Sequence, residues 1–164
     1  MNYANIKYYD ISNGDGLRTS LFVSGCKNHC KGCFNQCAWD FLYGSKYTTE
    51  VQNMILDSIE PDRIRGLSIL GGDPMEIENQ PDVLNLILEF RKRFQDRKDI
   101  WLWTGYLIDK DFQEGCRRFL PNVTNNILSN IDVIIDGPFI ESQKNLTLKY
   151  RGSENQRVIY LKRK

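Results

Sequence analysis

Three of the five cysteines stand within eight residues, at Cys26, Cys30 and Cys33. They form a C-x3-C-x2-C motif and are too close together to pair sensibly as disulfides, so metal binding or catalysis is the better interpretation. Thiolates are the preferred ligands of iron–sulfur clusters, and a short loop lets several of them reach one cluster. Three thiolates on a four-iron cluster would leave one iron open to a ligand or a substrate.

Two neighbouring residues leave alternatives open for this motif. His29 could complete a zinc site, but it adjoins Cys30, whereas structural zinc sites usually take paired ligands from two separated knuckles. Cys37 could close the cluster as the fourth thiolate of an electron carrier. We favour a buried packing role for Cys37, because free cysteine is commonly buried, and helix packing for Cys116.

The composition is that of a globular protein, with 41% hydrophobic and 26% charged residues in 164. No linker or repeat divides the chain, so we predict a single domain over residues 1–164. A net charge of +1 gives no electrostatic footprint for nucleic acid or an anionic membrane surface. No signal peptide and no apolar run of ~20 residues are present, which predicts a cytoplasmic protein with reduced thiols and no membrane partner.

The elements that must position the cysteines alternate between strand and helix patterns. Strands are predicted over residues 17–24, 67–70, 100–104, 131–135 and 156–161, and helices over 50–59, 81–94 and 109–120. This alternation favours an α/β fold with parallel strands. The chain is too short for a complete barrel of ~250 residues, so we predict a partial (β/α) barrel or an open sheet. The conspicuous motifs follow strands and should share the carboxyl edge of the sheet.

The cysteine motif directly after a first strand resembles the signature of the radical S-adenosylmethionine superfamily. Further blocks are similar to one branch of it, the activating proteins of anaerobic ribonucleotide reductases. These blocks cover residues 12–19, 21–26, 71–74, 103–106, 132–139 and 151–157. The blocks W-T-G-Y, D-G-P-F and R-G-S-x-N-Q-R together indicate the branch. Asp15 departs from it, because proline is frequent at that position.

The resemblance implies a radical S-adenosylmethionine oxidoreductase. Cys26, Cys30 and Cys33 would hold three irons of a [4Fe–4S] cluster, and S-adenosylmethionine would chelate the fourth. An electron from a low-potential donor such as flavodoxin or ferredoxin would cleave the cofactor reductively. The resulting 5′-deoxyadenosyl radical would take hydrogen from a glycine of the anaerobic ribonucleoside-triphosphate reductase.

The resemblance also implies where S-adenosylmethionine binds. The motif G-G-D-P would approach its ammonium group, because glycine lets a backbone come close to a ligand. Asp136 would reach its ribose or carboxylate end through a bridging group. The residues expected to contact the cofactor are Gly32, Cys33, Phe34, Gly71, Gly72, Asp73, Pro74 and Asp136. Arg151, Asn155, Gln156 and Arg157 could contact the partner or the cofactor, or form a solvated loop.

Three other functions stay open on the sequence. The chain could activate another glycyl radical enzyme, such as formate C-acetyltransferase, although the W-T-G-Y and R-G-S-x-N-Q-R blocks point away from this. It could act on a small molecule, but little chain remains to enclose one. It could also be a non-enzymatic iron–sulfur electron carrier with Cys37 as the fourth ligand.

Overall fold

The computed structural model describes residues 1–161, which contain one seven-stranded sheet and three α-helices. The strands are β1 (Asn2–Asp10), β2 (Arg18–Val23), β3 (Ser45–Lys46), β4 (Gly66–Gly71), β5 (Asp99–Trp103), β6 (Val133–Asp136) and β7 (Arg157–Tyr160). The helices are α1 (Thr49–Ile59), α2 (Gln80–Phe94) and α3 (Thr124–Asn130). The strand order across the sheet is β3-β1-β2-β4-β5-β6-β7.

The centre of the sheet is parallel, as predicted. Strands β2, β4, β5 and β6 pair in parallel, and one helix lies between each consecutive pair in the chain. The outer strands differ from the prediction, because β1, β3 and β7 pair antiparallel to their neighbours. β1 and β3 were not predicted at all. The sequence therefore predicts the parallel centre and not the antiparallel edges.

Two of the three predicted helices are confirmed almost at their predicted bounds. Thr48 caps α1 by accepting a hydrogen bond from the Val51 N–H at 3.4 Å. Pro81 stands in the first turn of α2, where its missing N–H costs no hydrogen bond. Both helices present a buried and mainly apolar face to the sheet.

The helix predicted over 109–120 is wrong, and with it the helix-packing role of Cys116. Residues 109–118 form a series of turns, in which Cys116 N donates to Gln113 O at 2.9 Å. Gly115 has a φ of +87°, which a right-handed helix cannot contain. The helix of this region is α3, which begins at Thr124, after Pro121.

The main core lies between the helices and one face of the sheet. It brings Leu21, Ile69, Leu102 and Ile134 of the four parallel strands against buried residues of α1, α2 and α3. The other face carries a smaller cluster around Trp101, and none of its members belongs to a helix. Within residues 1–161, no helix is long and apolar enough to cross a membrane.

Candidate metal centre

The cysteine loop, residues 24–39, leaves the carboxyl end of β2 and returns to its own start. Gly25 N donates to Ala38 O at 2.8 Å, and Cys26 N donates to Trp39 O at 3.1 Å. Cys33 N donates to Cys30 O at 3.1 Å, which closes a turn through Gly32 with φ +76°. The backbone therefore fixes both ends of the loop and the spacing between its second and third thiols.

The donor set of this loop fits an iron–sulfur cluster better than a single metal ion. All five cysteines are free thiols. Within residues 1–161, no three His, Cys, Asp or Glu side chains converge as one metal ion requires, and His29 stacks on Trp39 with ring centroids 4.6 Å apart. A zinc site would need such convergence. In a four-iron cluster each thiolate binds a different iron, so three separated thiols of one loop fit that group.

The environment of Cys26 and Cys30 holds these two thiols protonated in the metal-free protein. Burial, together with the nearby carboxylate of Asp73, raises the pKa of Cys26 to about 12. Burial also raises the pKa of Cys30, while the backbone N–H of Phe139 acts in the opposite direction. Because iron binds the thiolate, cluster assembly must release these protons and is expected to be pH-dependent.

Asp73 joins the ends of two strands beside the loop. Its fully buried carboxylate accepts hydrogen bonds from Met75 N at 2.9 Å, Thr104 Oγ1 at 2.9 Å and Gly105 N at 2.8 Å. Burial raises the pKa of Asp73 to about 7, although these hydrogen bonds oppose the rise. The Asp73 side chain thus binds groups of the protein itself. A contact between the G-G-D-P motif and S-adenosylmethionine stays a prediction.

Gly71 and Gly72 let the end of β4 pass close to the cysteine loop. A Cβ on Gly72 would lie 2.5 Å from the carbonyl oxygen of Gly25 and 2.8 Å from that of Ala38. Gly71 has a φ of +116° and lies against the backbone of Val23. Both glycines are therefore explained by their close approach to backbone atoms of the protein, without a bound ligand. Pro74, which follows Asp73, is buried.

Glu76 also holds the cysteine loop, and it is not among the residues predicted from the sequence. Its buried carboxylate accepts a hydrogen bond from Lys27 N, next to Cys26, at 2.7 Å. It also accepts one from the hydroxyl of Tyr106, on whose ring the guanidinium of Arg118 lies at 3.7 Å. The signal in the sequence was an acid two residues after G-G-D-P, together with the tyrosine of W-T-G-Y.

The two residues that flank Cys33 have different surroundings. A Cβ on Gly32 would lie 2.8 Å from Glu141 Oε1, so Gly32 is packed against the segment that follows β6. Phe34 is 92% exposed and borders an open cleft of about 280 Å³ together with Cys37 and Tyr43. The exposure of Cys37 makes its predicted packing role wrong.

Asp136 ends β6 and is completely buried. It accepts hydrogen bonds from Arg157 Nε at 2.8 Å, from Arg157 Nη2 and from Ile108 N at 3.0 Å. Arg157 also pairs with Asp109, and the hydrogen bonds that it donates to both carboxylates raise its pKa. A cofactor contact of Asp136 through a bridging group stays a prediction.

The predicted strand ends therefore meet at one edge of the sheet. The cysteine loop, Asp73, Thr104 and Gly105 are joined by direct hydrogen bonds, and the segment after Asp136 reaches Cys30. Cys116 lies in the turns of residues 109–118, where its thiol donates to Lys110 O at 3.1 Å. It is not part of this constellation.

Comparison with known proteins gives a consistent result. A family model described as a 4Fe-4S single cluster domain matches residues 12–159. A Vibrio cholerae protein is 42% identical over 95% of this chain and 96% of its own length, and an Escherichia coli K12 protein is 37% identical over 99% and 100%. An Enterobacteria phage T4 protein is 38% identical over 96% and 93%. All three are named anaerobic ribonucleoside-triphosphate reductase-activating protein.

Proposed function

The chain belongs to the 4Fe-4S single cluster domain family, and we propose that it is an enzyme that activates an anaerobic ribonucleoside-triphosphate reductase. The observation that carries this proposal is the free-thiol loop of Cys26, Cys30 and Cys33 at the carboxyl edge of the sheet. The full-length similarity to activating proteins identifies the partner. We extend that partner to this chain because the similarity covers nearly every residue of both proteins.

The three thiols would hold a [4Fe–4S] cluster whose fourth iron is open to S-adenosylmethionine. When both are bound, the cluster and S-adenosylmethionine would supply radical chemistry. One electron from a low-potential donor would cleave S-adenosylmethionine, and the resulting radical would take a hydrogen atom from a glycine of the reductase. The protein itself positions the thiols through the backbone bonds of the cysteine loop. Glu76 and Asp73 fix that loop against the ends of β4 and β5.

We propose that S-adenosylmethionine lies across the same edge. Gly71 ends β4, and the backbone of Gly72, Asp73 and Pro74 follows it directly and adjoins the start of the cysteine loop. Gly32, Cys33 and Phe34 would border the adenine, and the exposed ring of Phe34 is free to do so. Asp136 would act through Arg157, which it holds by two hydrogen bonds.

The fold itself supports a partial barrel. The helices that cross between parallel strands pack on one face of the sheet, and the Trp101 cluster on the other face contains no helical residue. In barrels of this kind, functional groups gather at the carboxyl ends of the strands. We further propose a cytoplasmic location and a low-potential donor such as flavodoxin or ferredoxin, since unpaired thiols persist in a reducing compartment.

The test is formation of a glycyl radical on the reductase. The reconstituted protein, S-adenosylmethionine and a strong reductant are incubated with an anaerobic ribonucleoside-triphosphate reductase, and in parallel with a formate C-acetyltransferase. We expect the EPR doublet of a glycyl radical on the reductase, and none when Cys30→Ser replaces the wild-type protein. A doublet on the lyase alone would contradict the proposed partner.

A further inference from the structure

The segment 151–157, which we call the clamp, directs the side chains of Ser153, Asn155 and Gln156 toward the protein. Asn155 Nδ2 donates to Pro138 O at 2.7 Å, and Gln156 Nε2 donates to Gly137 O at 3.0 Å. The buried hydroxyl of Ser153 accepts from Ile140 N at 3.2 Å. The clamp therefore binds the backbone of residues 137–141, the segment after β6, which we call the strap.

The clamp is ordered by its own hydrogen bonds. The side-chain oxygen of Gln156 accepts from Gly152 N at 2.8 Å and from Ser153 N at 3.1 Å, and Arg151 donates to Gln156 O. A Cβ on Gly152 would lie 3.1 Å from the Phe139 ring, so that ring packs closely on the clamp backbone. Gln156 thus bonds the clamp with its oxygen and the strap with its nitrogen.

The strap in turn covers the cysteine loop. The backbone N–H of Phe139 interacts with the thiol of Cys30. Two residues further on, the carboxylate of Glu141 lies against Gly32 and pairs with Lys31 at 3.3 Å. The strap therefore contacts the cysteine loop between its second and third cysteines. The clamp holds the strap in this place through its hydrogen bonds to the strap backbone.

From this geometry we propose that Ser153, Asn155 and Gln156 are positioning residues for the iron–sulfur cluster. By holding the strap, they keep the backbone N–H of Phe139 beside Cys30 and the side chain of Glu141 against Gly32 and Lys31. Hydrogen bonds to cluster sulfurs help set the reduction potential. Since the reduced cluster carries one more negative charge, the N–H stabilises the reduced state. This proposal rests on the proposed function, because it assumes the cluster.

The test measures the midpoint potential of the reconstituted cluster by EPR-monitored redox titration, without reductase or S-adenosylmethionine. Asn155→Leu and Gln156→Met remove the donors to the strap without adding charge, and Ser153→Ala removes only one hydroxyl. We expect each variant to shift the potential to a more negative value, with Ser153→Ala giving the smallest shift.

The control is Asn130→Leu, which makes the same change at a half-buried asparagine of α3 whose side chain donates to the carbonyl oxygen of Asn126 at 2.8 Å, outside the clamp and the strap. We expect it to keep the wild-type potential. Wild-type potentials in all folded clamp variants would overturn the proposal, and so would an equal shift in Asn130→Leu. If Asn155→Leu and Gln156→Met do not fold, Ser153→Ala decides. If the clamp variants shift the midpoint potential as expected but no radical forms on the reductase, the proposed function is refuted and the positioning role of the clamp stands.

Discussion

At the scale of single residues, the buried carboxylates are bound by several donors. Asp10 is completely buried at the end of β1 and accepts from Ser20 Oγ at 2.7 Å, Asn13 Nδ2 at 2.6 Å and Ser12 N at 3.0 Å. Lys7 pairs with it at 2.9 Å. These bonds explain part of the block over 12–19, because they fold the turn that leads into β2.

Asp10→Asn tests this network through its pH dependence. Burial raises the pKa of Asp10, but the hydrogen bonds from Ser20, Asn13 and Ser12 outweigh it and lower the pKa from 3.8 to about 2. The ionised form therefore stabilises the fold above pH 4, and this contribution disappears as the pH falls toward 2. We expect Asp10→Asn to lower the free energy of unfolding by about 1–3 kcal/mol at pH 7.

The measurement is urea denaturation of the metal-free protein at pH 7 and again near pH 3, where the difference from wild type should be smaller. Asp62→Asn, at an exposed carboxylate, should change the free energy of unfolding little at either pH. A deficit for Asp10→Asn that stays constant or grows in acid would contradict the assignment.

At the scale of elements, local patterns predict those elements whose signals are local. The apolar runs of β2, β4, β5 and β6 and the periodic faces of α1 and α2 are such signals. β1 lacks this signal, because Asn2–Asp10 is mostly polar or exposed and shows no buried apolar run. α3 is short and rich in Asn, Ser and Thr, so its sequence resembles a loop.

The candidate site also contains features with a local sequence signal and features without one. The cysteine loop could be predicted because its motif is contiguous in the sequence. The acid at Glu76 stands close to G-G-D-P, but its role could not be predicted, because the partner that it binds is a backbone N–H, that of Lys27, 49 residues away. Asn155 and Gln156 bind carbonyl groups 17 and 19 residues earlier, which any residue would present. Hydrogen bonds to distant backbone are therefore what the sequence does not reveal.

Gly72→Ala tests the contact between the end of β4 and the cysteine loop. Its Cβ would collide with the carbonyl groups of Gly25 and Ala38, which are backbone and cannot move aside alone. We expect the free energy of unfolding to fall by about 1–3 kcal/mol. We also expect less iron and sulfide per chain after reconstitution, because the loop must shift.

Gly115→Ala is the matched control, since a Cβ there meets no atom within 4 Å. Its φ of +87° makes it cost about 1–2 kcal/mol of strain. We nevertheless expect a wild-type iron content for this variant, which separates general destabilisation from displacement of the loop. A full iron content in Gly72→Ala would contradict the proposed contact.

At the scale of the whole molecule, the amino ends of the parallel strands are held together by structural contacts, and their carboxyl ends carry the candidate site. At the amino edge, the buried guanidinium of Arg18 pairs with Asp99 at 2.6 Å and donates to Ser68 Oγ at 2.7 Å. These contacts join β2, β4 and β5. At the carboxyl edge, the same strands are followed by the cysteine loop, Asp73 and Thr104. This arrangement leaves the carboxyl edge for chemistry.

The measurement that tests the central claim most directly is production of 5′-deoxyadenosine. The protein is reconstituted anaerobically with iron and sulfide and given S-adenosylmethionine and a strong reductant. We predict product from the wild-type protein and from Cys37→Ser, and none from Cys26→Ser, Cys30→Ser or Cys33→Ser. A well-formed cluster that cleaves no S-adenosylmethionine even with the reductase present, or that is lost in Cys37→Ser, would contradict this account and indicate an electron carrier with four thiolate ligands.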